Sequence, residues 1–303
     1  MKPLRLFSRL LTIGMMLVGV SCSQSAAPGV TTPPGAIVVT NVPPPQPGTF
    51  LIPKLTGDQL RTQTNTLERL RHLPKQVGFQ ARVFTESQPP REALRYFLFR
   101  PGTNAAATAP LPLVLSLHGG GPRRQFEHLL EPNAPGFAYG LGRLTAPETQ
   151  QAHPSYVVVP WSDQGGWDES RLRRVLALLD SLQGELHFDT NRLYVTGQSM
   201  GGFGTWAILA RAPERFAAAI PICGGGEPAT APRLTRLPIW ALHGNADQVV
   251  LVRHTRDIIA ALQRAGGQPI YWEYQDATHA GTAERAYGEP ELLEWLFAQW
   301  RGP

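Results

Sequence analysis

Lysine and cysteine are nearly missing from this chain of 303 residues. Lysine occurs only at Lys2, Lys54 and Lys75, and cysteine only at Cys22 and Cys223. The positive charge is therefore almost all arginine, and the net charge of +5 describes a mildly basic surface. No Lys/Arg block of the kind that tracks a phosphate backbone is present, which argues against a nucleic-acid partner. His243 and Asp247 share a short stretch, but no second cluster carries metal-ligand spacing, so no metal is expected. The apolar run from Leu10 to Val20 is too short for a comfortable membrane span. No internal repeat is found, which excludes solenoid and propeller architectures. With 42% hydrophobic and 17% charged residues, the chain can bury a full core and is not disordered overall.

What is present centres on Gly197-Gln198-Ser199-Met200-Gly201, a G-x-S-x-G pentapeptide. Arg192 to Thr196 before it is rich in β-branched and aromatic residues and reads as one buried strand. Gly202 to Ala210 after it reads as a helix that stops before Pro213. A strand must turn sharply into a helix at Ser199, in a strained conformation, with glycines where strand and helix crowd together. That is the arrangement of a nucleophile elbow.

A serine hydroxyl is a poor nucleophile at neutral pH and needs a base within hydrogen-bond reach. On this type of fold the orienting acid and the base follow the serine in chain order, each on a loop at a strand's carboxyl end. Asp247, in the loop after the strand Ile239–Leu242, fits the acid, and His279, after the strand Ile270–Tyr274, fits the base. Asp276 is the rival acid, but it lies only three residues from His279 and suits a turn better. Leu117-His118-Gly119-Gly120-Gly121-Pro122 follows another buried strand, and its glycines let backbone N–H groups converge on a developing oxyanion. Gly120, with Gly121 as the alternative, and Met200 are the expected donors. His118 is read as a residue that stabilises this loop. Trp161 and Trp167 lie near the same edge and could wall a substrate group or plug the core beneath the loop. Cys223 ends an apolar run and reads as a buried, inert thiol.

Apolar strands alternate with amphipathic helices: strands at Phe79–Phe84, Leu94–Phe99, Leu113–Leu117, Tyr156–Val159, the elbow strand, Phe216–Ile222, Ile239–Leu242 and Ile270–Tyr274. Helices are expected at Glu169–Leu182, after the elbow, at Val252–Ala265 and at Glu291–Trp300, with a further short one at Leu55–Leu73. This order predicts an α/β fold with a mainly parallel sheet covered on both faces. About 15 residues separate Ile222 from Pro238, which leaves no room for a large helical lid.

The N-terminus reads as an address. Lys2, Arg5 and Arg9 precede the apolar run, and residues 1–21 have the form of a signal peptide. Val18-Gly19-Val20-Ser21-Cys22 resembles the lipobox of bacterial lipoproteins, with Gly19 where leucine is usual; the resemblance implies lipidation at Cys22. The alternative is ordinary secretion with cleavage near Ala26-Ala27. Residues 22–54, rich in proline, read as a linker, and residues 55–303 as the folded domain. Export to the cell envelope or beyond is expected, with membrane contact only through the lipid.

From Arg82 to Arg301 the chain resembles the α/β-hydrolase superfamily. The His118–Gly121 loop, the Ser199 elbow, the His243–Asp247 loop and His279 look closest to its secreted esterase and predicted-peptidase branch. That branch is similar to dienelactone hydrolases, polyhydroxybutyrate-depolymerase-like enzymes and prolyl oligopeptidases. The chain departs from it at Pro160–Trp167, where relatives often carry a Pro-Gln-Cys-Pro-like stretch, and at Ala280-Gly281-Thr282 after the histidine. The resemblance and the residues together imply a serine hydrolase of carboxylic esters, small or polymeric, with no cofactor. A prolyl-oligopeptidase-like peptidase is the alternative within the class. A non-catalytic envelope-binding module is the alternative outside it.

Overall fold

The computed structural model describes residues 46–54, 78–87, 92–102, 109–120, 140–162 and 166–302. The candidate signal segment, Cys22, the 55–73 helix, Gly121 and most of the 22–54 stretch lie outside the described residues.

Among the described residues, nine strands form one sheet. They are β1 (Gly48–Ile52), β2 (Phe79–Thr85), β3 (Ala93–Phe99), β4 (Leu113–Leu117), β5 (Tyr156–Pro160), β6 (Leu193–Gln198), β7 (Ala218–Ile222), β8 (Trp240–Gly244) and β9 (Ile270–Tyr274). The order across the sheet is β1-β9-β8-β7-β6-β4-β5-β3-β2. Only the β2–β3 and β3–β5 pairs are antiparallel. Five helices carry most of the cover: α1 (Glu169–Leu186), α2 (Met200–Arg211), α3 (Arg253–Arg264), α4 (His279–Gly288) and α5 (Pro290–Ala298).

The sheet's two faces follow from strand periodicity. Leu113, Leu115, Leu193 and Val195 point into one core with Leu172, Val175, Trp206 and Ile258 from α1, α2 and α3. Val114, Tyr194 and Ile220 point into the other, with Ala286, Leu292 and Leu296 from α4 and α5. Strands buried on both faces are continuous apolar runs, as parallel sheets require.

β1 corrects the expected linker. Gly48–Ile52 lies inside the 22–54 stretch yet pairs in parallel with β9, from Gly48↔Ile270 to Ile52↔Tyr274. Its prolines, Pro47 and Pro53, stand outside the paired residues, and an edge strand tolerates them there. Arg285 of α4 donates to the Pro53 carbonyl at 2.9 Å and fastens the strand's end.

Parallel pairing in register brings the strands' carboxyl ends to one edge. Leu117 is opposite Gly197, Gln198 opposite Ile222, Ile222 opposite Leu242, and Gly244 opposite Tyr274. The chain leaving each strand there meets the chain leaving its neighbour. The tightest approach is at the elbow, where a β-carbon on Gly201 would collide with the Leu117 carbonyl and one on Gly197 with the Gly201 carbonyl.

Beside the elbow, His118 fixes the segment after β4. Its ring stacks on Trp161 with centroids 4.9 Å apart and meets Trp167 edge-on at 5.2 Å. Ser162 N–H donates to Nε2 at 2.9 Å, so Nε2 is unprotonated and Nδ1 carries the hydrogen toward the Gly119 carbonyl at 2.8 Å. Trp167 Nε1–H donates to the His118 carbonyl at 3.2 Å. Burial pushes the His118 pKa down to about 4. A second proton on Nε2 would also face the Ser162 donor.

Three stability predictions arise from this structure. Gly201→Ala should cost about 1–3 kcal/mol or more through backbone overlap. Gly184→Ala, in the exposed interior of α1 with nothing near the added carbon, should stabilise by about 0.4–1 kcal/mol; urea titrations of both variants measure this. His118 takes up a proton near pH 6.5 when unfolded but only near pH 4 when folded. Stability should therefore fall as pH drops from about 6.5 to 4, with a His118 share approaching about 1.4 kcal/mol per pH unit. Melting curves across that range should show a shallower fall in His118→Gln than in the parent.

Candidate active site

Ser199 sits between β6 and α2 with φ 59° and ψ −120°. This is a left-handed conformation that a non-glycine residue adopts only when its surroundings over-determine it. The clamp is visible: Ser199 N–H donates to the Ile222 carbonyl of β7 at 2.9 Å, and the Ser199 carbonyl accepts from Phe203 N–H at 3.0 Å. The strained elbow expected from the sequence is thus present, with the serine half-buried at the sheet's carboxyl edge.

Asp247 and His279 meet at the same edge. Asp247 follows β8, and its Oδ2 lies 2.6 Å from His279 Nδ1. The carboxylate is buried, and its Oδ1 accepts N–H groups of Val249 and Val250, each at 2.9 Å. Burial raises its pKa, but the His279 bond and the two amides outweigh that and hold it below the usual carboxylate range. The carboxylate is therefore ionised at neutral pH, and its bond fixes the His279 hydrogen on Nδ1, which leaves Nε2 as the basic nitrogen. Asp276 is a turn residue with φ 55°, whose N–H donates to Asn245 Oδ1.

His279 was expected in a loop. It is instead the first residue of α4, capped by Thr278, whose Oγ1 accepts Gly281 N–H at 3.3 Å. The helix buries Ala283, Ala286 and Tyr287. Small residues supply most of that face, so the apolar periodicity was faint; Thr278 was the readable start signal.

Gly119 runs alongside the elbow: a β-carbon there would lie 3.1 Å from the Gln198 carbonyl and 3.6 Å from Ser199 Cβ. Gly120 follows, on the segment His118 braces. Met200 opens α2, so no carbonyl within that helix accepts its N–H. Both expected oxyanion donors therefore belong to segments that border Ser199.

The two tryptophans divide differently from the expectation of a substrate wall. Trp161 is 5% exposed, stacked on His118, with the Arg95 guanidinium 5.9 Å from its ring centre. It is a brace for the loop. Trp167 is also buried, but it borders a cleft of about 530 Å³ shared with Met200, Phe203, Gly225 and Gly226. Cys223 is fully buried with φ 47°, and burial pushes its thiol pKa far up, so it is inert as read.

One trio among the described residues, Cys223, His243 and Asp247, brings metal-type ligand atoms within 4.8 Å of one another. A cation there would have to displace the N–H donors on Asp247 and the contacts of both His243 ring nitrogens. The donor set fits the observed hydrogen bonds better than a metal. Among the described residues no helix is long and apolar enough to cross a membrane.

Comparison with known proteins agrees with this architecture. The prolyl oligopeptidase family matches residues 161–227, a stretch that contains the elbow and ends before Asp247. A crystal structure of a thermostable esterase is similar at 33% identity and a TM-score of 0.68, over 74% of this chain and 64% of that one. The acylaminoacyl peptidase of Pyrococcus horikoshii shares the fold at 14% identity and a TM-score of 0.54, over 76% of this chain and 43% of that one. The bifunctional acetylxylan esterase/xylanase XynS20E of Neocallimastix patriciarum is 32% identical over 91 residues, 30% of this chain and 13% of that protein. The chain thus spans a small part of that curated relative and under two thirds of the esterase. Its sheet and its elbow coincide with these similarities, and the chain is an α/β-hydrolase in fold, similar to esterases and to prolyl-oligopeptidase-type peptidases.

Proposed function

We propose that the protein is a serine hydrolase that cleaves carboxylic esters through an acyl-enzyme. The observation that carries this reading is the 2.6 Å Asp247–His279 bond at the sheet edge where Ser199 is held in a strained elbow. In this reading Ser199 Oγ attacks the ester carbonyl while His279 Nε2 takes its proton. The carbonyl oxygen becomes an oxyanion facing the Gly120 and Met200 N–H groups. The intermediate collapses, the C–O bond to the alcohol breaks, and His279 returns the proton to the departing alkoxide. Water, deprotonated by His279, then releases the acid and restores Ser199. Each step needs only protons the imidazole already handles, so no cofactor enters.

Esters are preferred to peptides because the esterase similarity holds at 33% identity, whereas the peptidase structures show the fold alone. An alkoxide is also a better leaving group than an amide nitrogen. The peptidase reading has one observation in its favour, the prolyl oligopeptidase match over the elbow. The cleft of about 530 Å³ beside Met200 exceeds what an acetyl group needs, and Phe203 at its border is exposed. Both features suit an ester with an apolar group of some size. The signal-like N-terminus and the stretch before Cys22 support export, with lipidation at Cys22.

Turnover of p-nitrophenyl acetate and butyrate, with labelling by a fluorophosphonate, tests the chemistry. Ser199→Ala should lower kcat by about 10⁶-fold and abolish labelling. Asp247→Asn should lower kcat by about 10⁴-fold, since the imidazole loses its tautomer and orientation. Unchanged hydrolysis by Ser199→Ala would sink the assignment, and a parent protein that neither turns over esters nor labels would favour the binding module. Aminoacyl amides cleaved faster than esters would favour the peptidase. Metabolic incorporation of palmitate, lost in Cys22→Ser, tests the anchor; equal incorporation in both would overturn it.

A further inference from the structure

Asp247 has a second imidazole beside it. His243 is the fourth residue of β8, four positions before Asp247, and both side chains are fully buried. His243 Nε2 lies 2.9 Å from the Val250 carbonyl and 3.2 Å from Asp247 Oδ2. A carbonyl and a carboxylate only accept, so Nε2 carries the hydrogen. Nδ1 lies 2.6 Å from Thr255 Oγ1 at the start of α3, and Thr255 also contacts the Gly224 carbonyl. Burial lowers the His243 pKa, and the single Thr255 hydrogen goes to the Gly224 carbonyl, so the Nδ1–Thr255 contact fixes the ring's place rather than its protonation.

Three donors then bond one carboxylate, Val249 and Val250 N–H on Oδ1 and His279 Nδ1–H on Oδ2, and His243 Nε2, whose hydrogen goes to the Val250 carbonyl, stands 3.2 Å from Oδ2 as well. His243 acts twice, because the Val250 peptide that accepts from it also presents its own N–H to Asp247. Removing the ring would free one side of Oδ2 and loosen the loop that supplies both amides. We propose that His243 is a positioning residue for the reaction, which locks the Asp247 carboxylate in the one orientation that serves His279. The proposal rests on the serine-hydrolase reading. Besides Asp247 and His279, the titratable groups around His243 are Cys223 after β7 and Glu273 of β9, the latter paired with Arg256 of α3.

The test compares His243→Leu and His243→Gln with the parent, each also made in an Asp247→Ala background, using p-nitrophenyl butyrate from pH 5 to 9. His243→Leu should lower kcat about 10- to 100-fold, from the loss of the hydrogen bond that braces the Asp247 loop, with KM changed by under about twofold. His243→Gln, whose amide N–H can replace the donor, should stay within about fivefold of the parent. In the Asp247→Ala background His243→Leu should matter little, under about threefold, because its route to the reaction is gone. An equal loss in both backgrounds, or no loss with Asp247 present, overturns the proposal.

If the leucine variant does not fold, histidine-ring ¹⁵N spectra of the parent still decide. His243 should be protonated on Nε2; a ring bare on Nε2 overturns the proposal. A parent protein that turns over no ester and takes no fluorophosphonate would instead sink the hydrolase reading, with the tautomer still answering for His243.

Discussion

The Leu117 carbonyl leaves no room for a side chain at position 201, and Gly201 in turn leaves none at position 197. That contact lets β6 turn into α2 within one residue while β4 runs alongside in register. Ser199 takes its left-handed conformation because the strand, the helix and the neighbouring loop all press on it. The Ile222 and Phe203 backbone bonds hold it there. Were the glycines larger, β4 and β6 would separate and the Gly119–Gly120 segment would leave the elbow. Strain at one residue is offset by packing across three strands.

The rest of the site follows from parallel register. A sheet that ends its central strands at one level delivers their loops to one edge, where ligands of open α/β sheets bind. Asp247 and His279 then differ in how they are held. The acid is deep, ringed by amides and buried against β8. The base opens a helix and is partly exposed, with 18% of its side chain reachable. In the proposed reaction a fixed carboxylate and a more reachable imidazole would suit a proton shuttle, because the carboxylate keeps its charge while the ring handles the proton.

Much of this was legible beforehand, for physical reasons that also mark where legibility ends. Leu113–Leu117 and Ile270–Tyr274 match the expected strands residue for residue, because doubly buried strands are uninterrupted apolar runs. The order Ser199, Asp247, His279 carried the site, because loops at strand ends fix which residues can meet. β1 was hidden, since an exposed edge strand beside prolines has no apolar run to announce it. α4 was hidden by the alanine and threonine on its buried face. Trp161 and Trp167 could face either way from a loop, and only the position of His118 decides that they brace it. The His243–Asp247 contact is an i,i+4 pair across a turn, and a sequence shows two ligand-type residues there without showing that both point at one carboxylate.

The central claim is that Ser199 is the nucleophile of this edge. The most direct measurement is mass spectrometry of the protein trapped with a fluorophosphonate and digested to peptides. The account predicts a single adduct, on the peptide that contains Ser199 and on that side chain. An adduct on another serine, with Ser199 unmodified, would contradict it.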